Sequence, residues 1–205
     1  MYEFGIASLL VWAALVLSLV AAAVLSVLAF LKPKSHLIWF AAGTLGIAVV
    51  AAAAVPAPDP VGGATLIALL GLVVAVFGGS PAAITALDLA MGASSVPGLH
   101  GGILVEGPAT RAEARADAAG GAPAEPRRRE VLRGGITIGV LERFAAAGSI
   151  AAGLPEGLAL VIAVKGVGRF TELEAPEARE RFIIGTFASL IWATVAGLVV
   201  HLAIR

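Results

Sequence analysis

The chain has 205 residues, of which 59% are hydrophobic and 14% charged, against about 45–50% and about 25% in an ordinary soluble domain. Its formal net charge is zero and it contains no cysteine, which excludes disulfides, thiolate metal sites and a cysteine nucleophile. The apolar residues fall in long runs that a soluble chain of this size has no core to bury, so the sequence predicts an integral membrane protein.

The first run extends from Phe4 to Leu31 without a formal charge, well past the roughly 18 residues that suggest a membrane span. Met1-Tyr2-Glu3 supplies no basic segment, and the run is about twice the length of a signal-peptide core. It reads as a retained helix. Lys32-Pro33-Lys34 ends it, because proline interrupts the backbone ladder and ammonium groups belong among headgroups. A second helix is expected from His36 to Val55, with Trp39 as an interfacial anchor, followed by a polar turn at Pro56, Pro58, Asp59 and Pro60. A third reaches about Phe77.

Beyond it, Pro81–Met91 reads as a short amphipathic helix on the membrane surface. The stretch from Gly107 to Glu130, rich in Ala, Gly, Pro and Arg, reads as a disordered linker with too few large apolar residues to build a core. Arg127, Arg128, Arg129 and Arg133 in and beside it suit anionic headgroups. The expected division is a membrane half at 1–79, a cytoplasmic linker at 80–133 and a second membrane half at 134–205.

Gly134–Phe170 would measure about 55 Å as one straight helix, against a bilayer core of about 30 Å. Gly153-Leu154-Pro155-Glu156-Gly157 lies near its middle and carries turn signals. Either one overlong helix kinks there, or two helices form a tight hairpin. Charge favours the hairpin. With Lys32 and Lys34 placed inside, the hairpin leaves every Lys and Arg but Arg205 on or towards the cytoplasmic side, as the positive-inside rule requires. A single helix would instead translocate Arg169, Arg179 and Arg181. The predicted fold is therefore an all-α helical bundle with six transmembrane helices, helices 4 and 5 forming the hairpin. Both termini are external and the location is a bacterial inner membrane. Two three-helix halves of opposite orientation also occur in transporters built from inverted repeats, but Phe4–Phe77 and Ile136–Ile204 share no sequence similarity.

A turn near Leu154 puts Arg143 level with Lys165, and Glu142 level with Gly166. A Glu142–Lys165 pair would relieve the cost of charge at that depth, while Arg143 could snorkel or meet Glu172 or Glu174. Glu142, Arg143, Lys165, Arg169 and Glu172 thus form a candidate charge network. It either locks the hairpin, the preferred reading, or handles protons or substrate. Glu156 reads as a helix-terminus residue favoured by the dipole. Gly185, Ser189, Ala193 and Gly197, spaced by four, form a small-residue face on helix 6 for close packing, with Thr186 beside it. The Arg169–Phe182 stretch is dense in both signs of charge and reads as a connector or a docking surface.

No enzyme signature appears. His36, His100 and His201 are scattered without metal-ligand spacing, and there is neither a phosphate-cradling glycine loop nor a G-x-S-x-G motif. No cofactor and no metal are expected. The pattern Gly139-x-Leu141-Glu142-Arg143, Glu156-Gly157, Lys165-Gly166-x-x-Arg169-Phe170-x-Glu172-Leu173, Glu180-Arg181-Phe182-x-Ile184-Gly185-Thr186-x-x-Ser189-x-x-Trp192 resembles the C-terminal part of a family of uncharacterised small multi-pass membrane proteins of bacteria, notably actinobacteria. It covers about a quarter of the chain. The resemblance implies a recurring charged hairpin but no activity, substrate or cofactor. The expected partners are the lipid bilayer and another membrane protein or a second copy, not nucleic acid. A non-enzymatic structural or accessory subunit is the leading expectation, with a small transporter or channel second and a lipid-modifying enzyme third.

Overall fold

The computed structural model describes residues 5–32, 35–55, 63–91, 103–106, 128–131, 135–169 and 176–205. Six helices make up the packed body among them: α1 (Ile6–Leu31), α2 (Ser35–Ala53), α3 (Ala64–Met91), α4 (Gly135–Ala151), α5 (Glu156–Arg169) and α6 (Pro176–Ile204). Four of them, α1, α2, α3 and α6, are long and apolar enough to cross a membrane. At 17 and 14 residues, α4 and α5 are shorter.

The bundle sorts side chains by size in the manner that hydrocarbon demands. Lipid tails are as apolar as leucine, so helices there associate through close contact rather than through escape from water. Its buried positions are dominated by alanine, among them Ala22, Ala41, Ala48, Ala75, Ala146, Ala193 and Ala196. Large residues such as Leu10, Leu17, Phe40, Val50, Leu69 and Ile191 point outward and are more than half exposed. On α1 the buried face reads Leu15, Ser18, Leu19, Ala22, Ala23, Ser26, Ala29, a three-and-four spacing that makes one stripe of a helix. Ser18 Oγ donates to the Ala14 carbonyl at 2.6 Å, so its hydroxyl is satisfied within its own helix.

Three glycines bring α3, α4 and α6 together. A Cβ on Gly71 would collide with Val200, and one on Gly78 with the Trp192 indole. A Cβ on Gly197 would lie 2.6 Å from the Ala147 carbonyl oxygen and 3.0 Å from its Cα, so α4 and α6 touch backbone to backbone. Trp192 Nε1 donates to the Val74 carbonyl at 2.9 Å, tying α6 to α3. These contacts fix direction. Gly71 meets Val200 while Gly79 meets Ser189, so α3 and α6 are antiparallel. Arg143 meets Ser189, Ala147 meets Gly197 and Ala151 meets His201, so α4 runs parallel to α6.

Helix α3 departs from expectation. It continues from Ala64 to Met91 with Pro81 inside, so Pro81–Met91 is not a separate surface helix and no boundary falls at residue 79. Proline removes one intrahelical bond and crowds the carbonyl four residues back. Here Pro81 is buried with Gly78 and Gly79 against α6 and α4, and packing there outweighs the lost bond. A second departure is a short antiparallel ribbon, β1 (Ile103–Glu106) with β2 (Arg128–Val131). It makes Arg128, Arg129 and Glu130 strand rather than disordered chain, in a register that runs from Ile103 opposite Val131 to Glu106 opposite Arg128. Residues 107–127 of the expected linker lie outside the described residues.

Gly197→Val is expected to lower stability by about 1–3 kcal/mol, because backbone atoms of α4 have no easy retreat. Gly43→Ala, where an added Cβ meets nothing within 4 Å, is expected to hold or gain up to about 1 kcal/mol. Thermal unfolding of the two purified variants in detergent checks the contrast.

Candidate functional site

The hairpin begins at the C-terminus of α4, where Gly153 takes a left-handed φ of 75°. Leu154 N–H donates to the Ser149 carbonyl at 2.8 Å and Gly153 N–H to the Ile150 carbonyl at 3.0 Å. This pair of bonds is the Schellman cap, in which a glycine absorbs the left-handed step. Pro155 follows, and α5 opens with Glu156 in its first turn, where the helix dipole favours a carboxylate. Gly157 then allows α5 to lie against Ser149, since a Cβ there would collide with that side chain. The turn sits level with the end of α6: His201 Nδ1 lies 3.4 Å from the Ala151 carbonyl oxygen. Helix α4 therefore rises beside α6 as far as its last turn.

Folding back in this way brings Glu142 and Lys165 together. Their side chains form an ion pair and are only 12% and 16% exposed, respectively. Phe182 of α6 presents its ring 5.5 Å from Lys165 Nζ, a cation–π contact that further stabilises the ammonium. The pair lies in an open groove of about 470 Å³ between α4 and α5, walled by Ile138, Leu141, Ala145, Leu160 and Val164. Leu141, Leu160 and Val164 are exposed, so the groove opens on the outside of the bundle.

Arg143 turns the other way. It is 3% exposed, and its Nη1 donates to Ser189 Oγ at 3.2 Å. A Cβ on Gly79 would collide with its Cδ, and one on Gly139 would lie 3.1 Å from Nη1. The missing side chains of those two glycines thus make the channel that the arginine fills. Its Nε and Nη2 are buried and have no hydrogen-bond acceptor among the described residues. The side chain lies inside the bundle, against Ser189 of α6 and Gly79 of α3, rather than reaching the bundle surface.

The structure thus separates the expected charge network into an outward pair, Glu142 with Lys165, and an inward arginine. The Arg169 side chain, Glu172 and Glu174 lie outside the described residues. The four-spaced face of α6 faces inward. Gly197 meets α4, Ser189 meets Arg143 and lies close to Gly79 of α3, Ala193 is fully buried, and Gly185 lies within 3.6 Å of Leu87 when given a Cβ. Sequence reasoning misses two contributors, Gly79 and Gly139. The second has a visible signal, because a glycine four residues before an arginine clears the space into which that side chain leans. Among the described residues no cluster of three metal-ligating side chains occurs.

No family model matches the chain, and no curated protein and no solved structure matches it either.

Removing one member of the outward pair leaves its largely buried partner uncompensated. Glu142→Gln and Lys165→Met are each expected to cost about 2–3 kcal/mol, and the double variant to recover most of that loss. A double-mutant cycle on thermal unfolding measures the coupling; additive losses would mean that the pair contributes nothing.

Proposed function

We propose that this chain is a six-crossing protein of a bacterial inner membrane, serving as a non-enzymatic structural or accessory subunit of a membrane complex through its α4–α5 face. The observation that carries the reading is the direction of the ion pair. Glu142 and Lys165 line a groove that opens sideways on the bundle surface, where a neighbouring protein would cover them. An ion path would place such groups on a route between the two sides of the membrane. The resemblance of the 139–192 pattern to multi-pass bacterial proteins supports the location. The basic residues support an inward face formed by the ends of α1, α3 and α5 and the start of α6, with both termini outside. Six crossings draw support from the level of the hairpin turn beside His201: in length alone α4 and α5 measure about 25 Å and about 21 Å.

A second reading, a small transporter or channel, draws on Arg143, whose buried donors lack acceptors among the described residues. It requires that neutralising Glu142, Lys165 or Arg143 abolish flux while the bundle stays folded.

The topology is tested with single cysteines in a chain that has none of its own. Leu154→Cys is expected to react with an impermeant thiol reagent on intact cells, whereas Lys32→Cys and Glu180→Cys react only after permeabilisation. Labelling of Glu180→Cys on intact cells would remove the six-crossing arrangement. Isolation from native membranes in mild detergent tests the subunit reading: a stoichiometric assembly that is lost on substituting Leu160 or Val164 supports it, and a monomer contradicts it.

A further inference from the structure

The α4–α5 face has a symmetry property that names its occupant. Glu142 and Lys165 touch, so they lie at one depth, side by side on neighbouring helices and of opposite sign. Turn that face by half a revolution about the membrane normal and place it against the original. Depth and orientation are preserved, left and right exchange, and each Glu142 then stands opposite the Lys165 of the other copy. We propose that the groove docks a second copy of this chain in a two-fold dimer whose axis runs along the membrane normal. The inference rests on the assembly reading above and specifies its partner.

Three observations point to self-association. A second copy sets a charge of opposite sign against each member of the pair by symmetry alone. The walls beside the pair are large, exposed and apolar: Leu141 at 63%, Leu160 at 66% and Val164 at 66%. They can mesh with their own symmetry mates. At 14 residues, α5 is also short for the bilayer, and a short span is relieved by association as well as by thinning the lipid. Within each copy the pair remains intact; across the axis the two pairs form a four-charge ring of alternating sign.

The decisive experiment uses a charge-exchanged chain, Glu142→Lys with Lys165→Glu. Two exchanged copies regain the alternating ring. An exchanged copy against an original one instead sets two ammonium groups together on one side of the axis and two carboxylates together on the other. Differently tagged chains carrying Val164→Cys are co-expressed and oxidised in native membranes, with Leu9→Cys, an exposed position on α1, as control. Cross-links are expected within each type, with mixed cross-links roughly tenfold below random mixing, since like charges then oppose each other across the axis. Mixed cross-links at the random level would overturn the proposal, as would cross-linking no better at Val164 than at Leu9. Should the exchanged chain fail to fold, the Val164-against-Leu9 comparison in the original chain decides alone. A membrane-soluble thiol probe then tells the two failures apart. Without cross-links, a Val164→Cys shielded from the probe means that a different protein covers the face, so the dimer falls and the subunit reading stands. A freely reactive one removes both.

Discussion

Hydrocarbon gives helices no reward for hiding apolar surface, and the bundle answers by bringing backbones close. Where Gly197 meets Ala147, nothing but main chain separates α4 from α6, and the many weak contacts of that approach replace the hydrophobic effect. Gly71 and Gly78 do the same between α3 and α6 by admitting Val200 and Trp192. Alanines extend the close fit to α1 and α2. Even the indole of Trp192 contributes a bond as well as bulk, since its N–H reaches the Val74 carbonyl. Everything else, including the placement of charge, is set by which faces these small residues draw together.

Buried charge is handled in two different ways. Lys165 and Glu142 neutralise one another on the outward side, with the Phe182 ring adding to the ammonium's surroundings. Arg143 has no carboxylate in contact among the described residues; it lies along a channel left by Gly79 and Gly139 and ends on Ser189. The first arrangement is self-sufficient, and the exposed Leu141, Leu160 and Val164 beside it make its groove available to a neighbour. The second is rigid, because every wall of the channel belongs to a different packed helix. Adjacent positions in the sequence thus serve opposite sides of α4, one holding the bundle together and the other facing out of it.

Much of this is legible in the sequence because the one-dimensional signals are strong. Uninterrupted apolar runs mark α1, α2 and α6, and Gly153-Leu154-Pro155 marks a turn whose glycine is left-handed in the structure. Counting from that turn sets Lys165 level with Arg143, one residue from Glu142, the partner it takes in the structure. Helix α3 is harder to read because Gly78-Gly79-Ser80-Pro81 carries every local sign of a helix end, while tertiary contact with Trp192 and Arg143 carries the helix through. The direction of Arg143 escapes a sequence argument because snorkelling considers only the distance to headgroups, not the glycines that open an inward path. The ribbon at Arg128–Val131 is hidden since each strand is short and its pairing partner is distant in sequence.

In the proposed six-crossing arrangement, the shape of the hairpin also bears on how the protein would enter its membrane. Helix α5 has 14 residues and carries Lys165 along its length, so in the six-crossing arrangement it makes a poor candidate for insertion by itself. Helix α4 carries Glu142 and Arg143 and fares little better. Joined by a turn whose carbonyls are already capped, with opposite charges aligned at one level, the two cancel much of each other's cost. The translocation machinery would then accept them only as a pair, turn first, after α4 and α5 have both emerged. In that arrangement the C-terminal half would enter as one unit, once Lys165 has been made to offset the charge on α4.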